Sequence, residues 1–428
     1  MLDSTRSSRL MAEFGAIVGP AKMRSPSASE AGAATLIVEP SDPDEIAAVV
    51  RKCEADKITM VAMGAARTLG VIRTSPVALG LSLARMNRII AYEPDDMTVV
   101  AEAGLTLAEL NAVLARHGQR LPADPRMPQL TTLGALVAAA QAGPLRHSEG
   151  TMRDALIGIR FVGHDGRLVH GGGQVVKNVA GYDLMKVMTG SFGTLGIITE
   201  VAFKLRPIPQ RYTLVTAQFE DGADGFAMAE GIAGELPLLH LDATSAGVSH
   251  RLGLGAGFTL FAGFGGSAAE VDFMRARIIE LLGARSEIHA PGESRALYED
   301  LRDFTWPQAA ISAQLAVPPA ALAQSLQRCE AEFRAHAGIG VAQLYTADAS
   351  LTGSPKAAPR ALEQTQKWRG IAHAARGHLR ILAVSPASPP GLAIFDEPEA
   401  VALGLMRRLK TAFDPHGIFN PSCFVDGL

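Results

Sequence analysis

The stretch that most constrains this chain spans residues 171–209, GGGQVVKNVAGYDLMKVMTGSFGTLGIITEVAFKLRPIP. Its glycines are not scattered as in a linker. Gly171, Gly172 and Gly173 open it, Asn178, Gly181 and Asp183 bracket a turn around Tyr182, and Gly190, Gly193 and Gly196 mark the approach to a strand. Asp183 is placed to cap a short helix that Gly190 ends. From Ile197 the pattern alternates. Ile197, Thr199, Val201, Phe203 and Leu205 share one face, and Ile198, Glu200, Ala202, Lys204 and Arg206 share the other. This predicts a half-buried strand, stopped by Pro207 and Pro209. Glycine ahead of a strand lets backbone N–H groups come close to a ligand such as a phosphate or a flat ring.

A chain of 428 residues predicts two domains. A formal net charge of -3 gives no basis for a broad nucleic-acid surface. Cys53, Cys329 and Cys423 form no CxxC pair or cluster, which argues against an iron–sulfur centre or a zinc site. Their scarcity fits a reducing cytosol, so the expected location is cytoplasmic. The first ten residues are mostly polar, with no apolar h-region after them. The small-apolar run 133–140 is far shorter than the ~20 residues of a membrane span. Any membrane association is expected to come through a partner.

Taken in order, residues 1–34 read as a helix and a Ser/Pro/Ala-rich connector. Strands are expected at 35–39, 59–63, 77–83 and 98–103. Ser41 is the expected cap of a helix whose stripe is Ile46, Val49, Val50 and Cys53. Gly64, Ala65, Ala66, Arg67 and Thr68 follow the strand at 59–63, and tiny residues there suit a pyrophosphate cradle as well as a plain surface turn. TLAE at 106–109 is a capping box. Thr131 or Thr132 is expected to cap a helix of small residues that runs through Leu133 and Gly134 to Gly143. Its N-terminal amides would favour negative charge, and its small side chains would equally suit close helix packing.

Beyond Pro209 the texture changes. Strands are expected at 212–219, 238–243, 258–264, 311–317, 341–346 and 379–385. Helices are expected at 225–233, 265–283, 321–333 and 398–413. Gly263, Gly265 and Gly266 echo a dinucleotide fingerprint but lack its third glycine at the needed spacing, so a plain β–α turn is expected. The last helix is expected to bury Val401, Leu405 and Leu409 and to expose Arg407, Arg408 and Lys410.

The segments KNVAGYDL, GSFGTLGIITE and MRRLKTAFDPHGIFNPSCFV resemble the FAD-linked oxidase family, the vanillyl-alcohol oxidase (PCMH) type of flavoprotein, and within it the E-type subunits of glycolate oxidase. The family's triple-glycine loop is Gly64-Ala65-Ala66 here, and its Gly-Gly motif is Gly134-Ala135. The resemblance implies an α+β fold: a two-subdomain FAD-binding module at 35–209, an α+β cap at 210–395, and a helix and loop at 396–428 returning to the FAD module. It implies FAD held by Gly64, Ala65, Ala66, Arg67, Thr68, Thr131, Thr132, Leu133, Gly134, Lys177, Gly181, Tyr182, Gly193, Gly196, Ile197, Ile198 and Asn420. It further implies oxidation of glycolate to glyoxylate, with a catalytic D-type flavoprotein subunit and an iron–sulfur F-type subunit as partners. In similar hydroxy-acid dehydrogenases the cap stretch carries an acid and a later histidine, which hold a metal or receive a substrate proton. Ile339 and Gln343 stand in that region here, so no metal is expected and His336 reads as a surface or packing residue. No catalytic residue is assigned. Tyr182 and Lys177 are nearest the glycine loops, with packing and a surface or phosphate charge as their preferred roles. Two alternatives stay open: a non-catalytic assembly subunit that keeps the fold, and a stand-alone dehydrogenase of another 2-hydroxy acid.

Overall fold

Short apolar runs buried on both faces pair best as parallel strands, and Ala34–Val38, Val77–Ser82 and Met60–Met63 do so. The computed structural model that shows this describes residues 4–27, 30, 33–64, 77–173, 182–346, 357–384 and 392–428. Met23–Arg24 adds an antiparallel edge to this four-stranded sheet. The helix Pro43–Asp56 buries Ile46, Val49, Val50 and Cys53. Its cap is Asp42, which accepts the Glu45 amide at 2.9 Å, and not the expected Ser41. The Ser41 hydroxyl instead meets Lys22 Nζ at 2.6 Å.

A second, antiparallel sheet has the order Ile89–Glu93, Thr98–Glu102, Ile197–Lys204, Leu156–Val162, Leu168–Gly172. The predicted strand is therefore the central one. Ile198 and Ala202 are buried along with Val201 and Phe203, and only Glu200 and Lys204 stay half-exposed. Leu156–Val162 has no clean alternation because six of its seven residues are buried, so periodicity did not reveal it. One hydrophobic cluster runs through both sheets and takes in Ile418 and Phe419 from the end of the chain.

The chain divides into two compact units. One is Met1–Gln141, Thr151–Ile208 and Glu397–Leu428; the other is Ala142–Gly150 with Pro209–Asp396. The excursion Ala142–Gly150 joins the second unit because its short helix Arg146–Glu149 packs on the strand His240–Thr244. That unit is built on an eight-stranded antiparallel sheet whose middle strands are Phe258–Gly266, His240–Thr244, Glu332–His336 and Val341–Tyr345. Two readings are corrected here. Gly263 and Gly265 lie inside a strand, not in a turn. The helix expected at 321–333 is Leu322–Cys329, and left-handed Glu330 (φ 50°) turns the chain into the strand Glu332–His336.

The last helix, Ala400–Phe413, is also rotated from expectation. It buries Leu403 and leaves Val401 86 % and Leu405 51 % exposed. Lys410 points inward to buried acceptors, and its bonds fix the rotation. Among the described residues no helix is long and apolar enough to cross a membrane.

The helix Ala357–Ala374 is anchored on the second unit by Trp368, fully buried, whose indole N–H donates to the Cys329 carbonyl at 3.0 Å. Trp368→Phe is expected to cost about 1–3 kcal/mol through the orphaned carbonyl, and Trp368→Ala about 3–5 kcal/mol through the added cavity. Urea unfolding checks the order of the two.

Candidate functional site

In the first unit, four separated segments are drawn to one place by bonds to backbone groups. The strand Met60–Met63 gains a parallel neighbour at the end of the chain: the Met60 amide donates to Ile418 O at 2.8 Å, and the Asn420 amide to Met60 O at 2.9 Å. The Asn420 side chain accepts the Ala62 amide at 2.8 Å and donates to Phe192 O at 2.6 Å. The Phe192 amide reaches Ala138 O at 2.8 Å and the Gly190 amide Val137 O at 3.0 Å. Those bonds meet the helix Leu133–Ala138 at its C-terminal turn, and the chain turns away at Ala140 (φ 47°), so the expected run to Gly143 does not form. At the helix start Thr132 is the cap, and a Cβ added to Gly64 would lie 2.7 Å from its hydroxyl. Gly64, Thr132, Gly134, Gly193 and Asn420 thus converge.

The backbone here is strained. Phe192 (φ 53°), Gly193 (φ 70°), Asn420 (φ 40°) and Ser422 (φ 62°) all lie in the left-handed region, which costs a non-glycine residue of order 1–3 kcal/mol and gathers at functional sites. Gly193 also has no room for a side chain, since a Cβ would stand 2.7 Å from Asn420 Nδ2. The Ser191 hydroxyl is buried and has no hydrogen-bond partner. A buried hydroxyl without a partner calls for a ligand or water, and nothing in the sequence pattern singled out Ser191.

The helix N-terminus does not serve as expected. The Leu133 amide is spent on Leu105 O, the Gly134 amide on Ala103 O, and the Ala135 amide on the Thr132 hydroxyl. Thr131 Oγ1 donates back to Arg126 O and Met127 O at 3.2 Å. Leu133, Ile197 and Ile198 are buried core residues, and a Cβ on Gly196 would meet Phe161 at 2.9 Å. Tyr182 is 93 % exposed, against the packing role expected for it. Ala65, Ala66, Arg67, Thr68, Lys177 and Gly181 lie outside the described residues.

The second unit holds a buried polar cluster. His240 and Asp242 alternate onto one face of their strand, and Asp242 stands opposite His336 on the next. Asp242 Oδ2 accepts from His240 Nδ1 at 2.6 Å and Oδ1 from His336 Nδ1 at 2.5 Å. Burial opposes the charge of Asp242, but the bonds from both imidazoles hold its carboxyl well below the usual carboxylate range. Tyr212 O–H meets His240 Nε2 at 2.8 Å. Gly263, opposite His240, clears that ring, since a Cβ there would fall 1.9 Å from Nε2. His147, from the excursion Ala142–Gly150, has its ring against Gly338 and a buried Nδ1 without a partner. His336 is thus buried, and of the two expected roles packing stands and surface does not. Among the described residues, no group of three or more His, Cys, Asp or Glu could hold a metal ion.

Comparison with known proteins fits the fold of the first unit. Residues 34–172 match the FAD binding domain, and residues 395–423 match the C-terminal domain of FAD linked oxidases. The chain therefore carries a PCMH-type FAD-binding domain, and FAD is its cofactor. It is 40 % identical over 123 residues to glycolate oxidase subunit GlcE of Escherichia coli, covering 28 % of this chain and 35 % of that one. It is 33 % identical over 195 residues to the mitochondrial D-lactate dehydrogenase [cytochrome] of Arabidopsis thaliana, covering 44 % of this chain and 34 % of that one. The chain thus spans about a third of the length of these relatives. The crystal structure of p-cresol methylhydroxylase with substrate bound shares its fold, with a TM-score of 0.74, 16 % identity and coverage of 99 % of this chain and 98 % of that one.

Asn420→Ala leaves the Ala62 amide and the Phe192 carbonyl without their partners. It is expected to destabilise the first unit by about 2–4 kcal/mol and to speed hydrogen exchange at Ala62, both measurable on the purified protein. A second expectation concerns pH. Burial holds the His147 imidazole below its ordinary value of 6.5, so the unfolded chain binds that proton more readily than the folded one. The stability His147 contributes is full above pH 6.5 and is lost as the pH falls through the folded value. Urea midpoints above and below pH 6.5 should fall more for the wild type than for His147→Gln.

Proposed function

We propose that this chain, with its PCMH-type FAD-binding domain, is a flavoprotein oxidoreductase that oxidises a small 2-hydroxy acid such as glycolate or D-lactate. The observation that supports the reading most is the convergence of Gly64, Thr132, Gly193 and Asn420, with the partnerless Ser191 hydroxyl two residues before Gly193, within the unit that matches the FAD-binding domain. These residues fit a cofactor. Ser191 has a bond to give. Bound there, FAD supplies the two-electron oxidation. This chain would bind it, orient its ring and keep water away. The substrate class rests on the glycolate oxidase and D-lactate dehydrogenase relatives. By analogy with the glycolate oxidase subunits, the chain works in a cytoplasmic complex, beside a D-type flavoprotein subunit and an iron–sulfur subunit that takes the electrons.

A second reading, an assembly subunit that keeps the fold without turnover, is favoured by one observation. The first-turn amides of Leu133–Ala138 are all occupied by protein acceptors and cannot hold a diphosphate. Anaerobic addition of glycolate or D-lactate to the purified protein separates the two. Bleaching of the visible flavin band by either acid supports the first reading. An unbleached band with both acids, in a flavin-loaded chain that dithionite does reduce, refutes it.

A further inference from the structure

A surface helix of a folded unit is apolar on one face and polar on the other. Ala400–Phe413 is apolar on two. Leu403, Lys410 and Phe413 turn into the first unit. At about 100° per residue, Val401, Leu405, Leu409 and Ala412 share a stripe on the other side. Val401 is 86 % exposed, Leu405 51 %, Ala412 is exposed and Leu409 is half-buried. This is the stripe whose spacing predicts burial, and it is left outside because Lys410 holds the inward face. Exposed apolar side chains grouped in this way mark an interaction site. The charges around the stripe say what covers it. Glu397 and Glu399 stand exposed at its start, and Arg408 stands exposed on the same side toward its end. Glu399 makes no cap bond with its side chain. Arg407, next to Arg408, is spent on Asp426. Among the described residues neither Glu399 nor Arg408 has an ionic partner. The face therefore carries acid at one end, base at the other and apolar side chains between, which makes it complementary to itself turned end for end.

We propose that this face pairs with the same face of a second copy of the chain, the two final helices running antiparallel about a two-fold axis at Leu405. Such an interface is isologous: each contact occurs twice. Leu405 meets its own copy, and Val401 meets Leu409 of the second copy. Arg408 lies opposite Ala402 of the second copy. Glu399 is one turn further along, about 4.5 Å at 1.5 Å per residue, within reach of a long guanidinium side chain. The two Arg408–Glu399 pairs close the ends of the apolar contact and fix its direction, since a parallel pairing sets like charges side by side. A different protein would need the reversed order of charges on a matching stripe; a copy of this chain supplies it. One face of a short helix is smaller than the roughly 800 Å² per partner of a standard interface, so a dimer held here exchanges with monomer and comes apart on dilution.

The test uses the full chain in analytical ultracentrifugation, from millimolar to sub-micromolar protein. The wild type should pass from dimer to monomer along that series. Leu405→Glu sets two carboxylates on the axis and should raise the dissociation constant by about 100-fold. Arg408→Glu and Glu399→Arg should each weaken self-association by about tenfold. Mixed with each other, these two variants should form a dimer as tight as the wild type, because every charge pair in the mixed dimer is again opposite in sign. A merely structural role for either residue does not produce that rescue. Cross-linking gives a second readout that needs no weakened variant. Cys53, Cys329 and Cys423 are buried, so a cysteine placed on the face is the reactive one. Leu405→Cys should oxidise to a covalent dimer, whereas Val401→Cys, displaced from its own copy by about 12 Å along the axis, should not. A wild type that stays monomeric throughout, including one whose face is covered only when another protein is added, overturns the proposal. So does a dimer indifferent to Leu405→Glu, or a pair of charge variants that associate no better together than apart. Each of these outcomes leaves the reading under Proposed function standing.

Discussion

The first unit depends on a buried ion pair at the end of the chain. Asp414, 2 % exposed, accepts the Ile418 and Phe419 amides at 2.9 Å and Lys410 Nζ at 2.6 Å. Lys410 spends its remaining hydrogens on Thr194 O and Phe419 O. A buried carboxylate and ammonium are costly unless every bond is satisfied, and here they are. The pair ties the last helix, the final turn and the loop before the central strand into one rigid body. It also explains the strand-like addition of Ile418–Asn420 beside Met60. Asn420 then holds the left-handed turn at Phe192 and Gly193, which no short-range preference would choose.

The second unit solves a different problem with similar means. Its sheet buries a polar constellation, and the surrounding residues are selected for clearance. Gly263 makes room for His240, and Gly338 makes room for His147. Both side-chain oxygens of Asp242 are satisfied, which holds His240 and His336 in fixed orientations. Gly263, the first of the glycines that mimic a dinucleotide fingerprint in the sequence, admits an imidazole.

Much of the fold was legible from residue patterns. The capping box at Thr106, the cap at Asp183, the stripe on Pro43–Asp56 and the alternation from Ile197 all rest on contacts within a few residues. Features that depend on distant partners were not legible in the same way. Asp42 displaced Ser41 as a cap because Lys22 and Glu45 claim the serine. The final helix turned by about one face because Lys410 had buried acceptors to satisfy. Leu156–Val162 was invisible because a strand buried on both faces shows no period.

What the sequence determined by itself was local: where turns must fall, which helices can start, and that tiny residues cluster in a few loops. Those are short-range steric and hydrogen-bonding facts. Tertiary structure decided which of those loops meet and which amides remain free. It spent the amides of Leu133–Ala138 on the protein, left Ser191 without a partner, and set His336 opposite Asp242. Each outcome pairs groups tens to hundreds of residues apart, and a linear pattern carries no record of such distances.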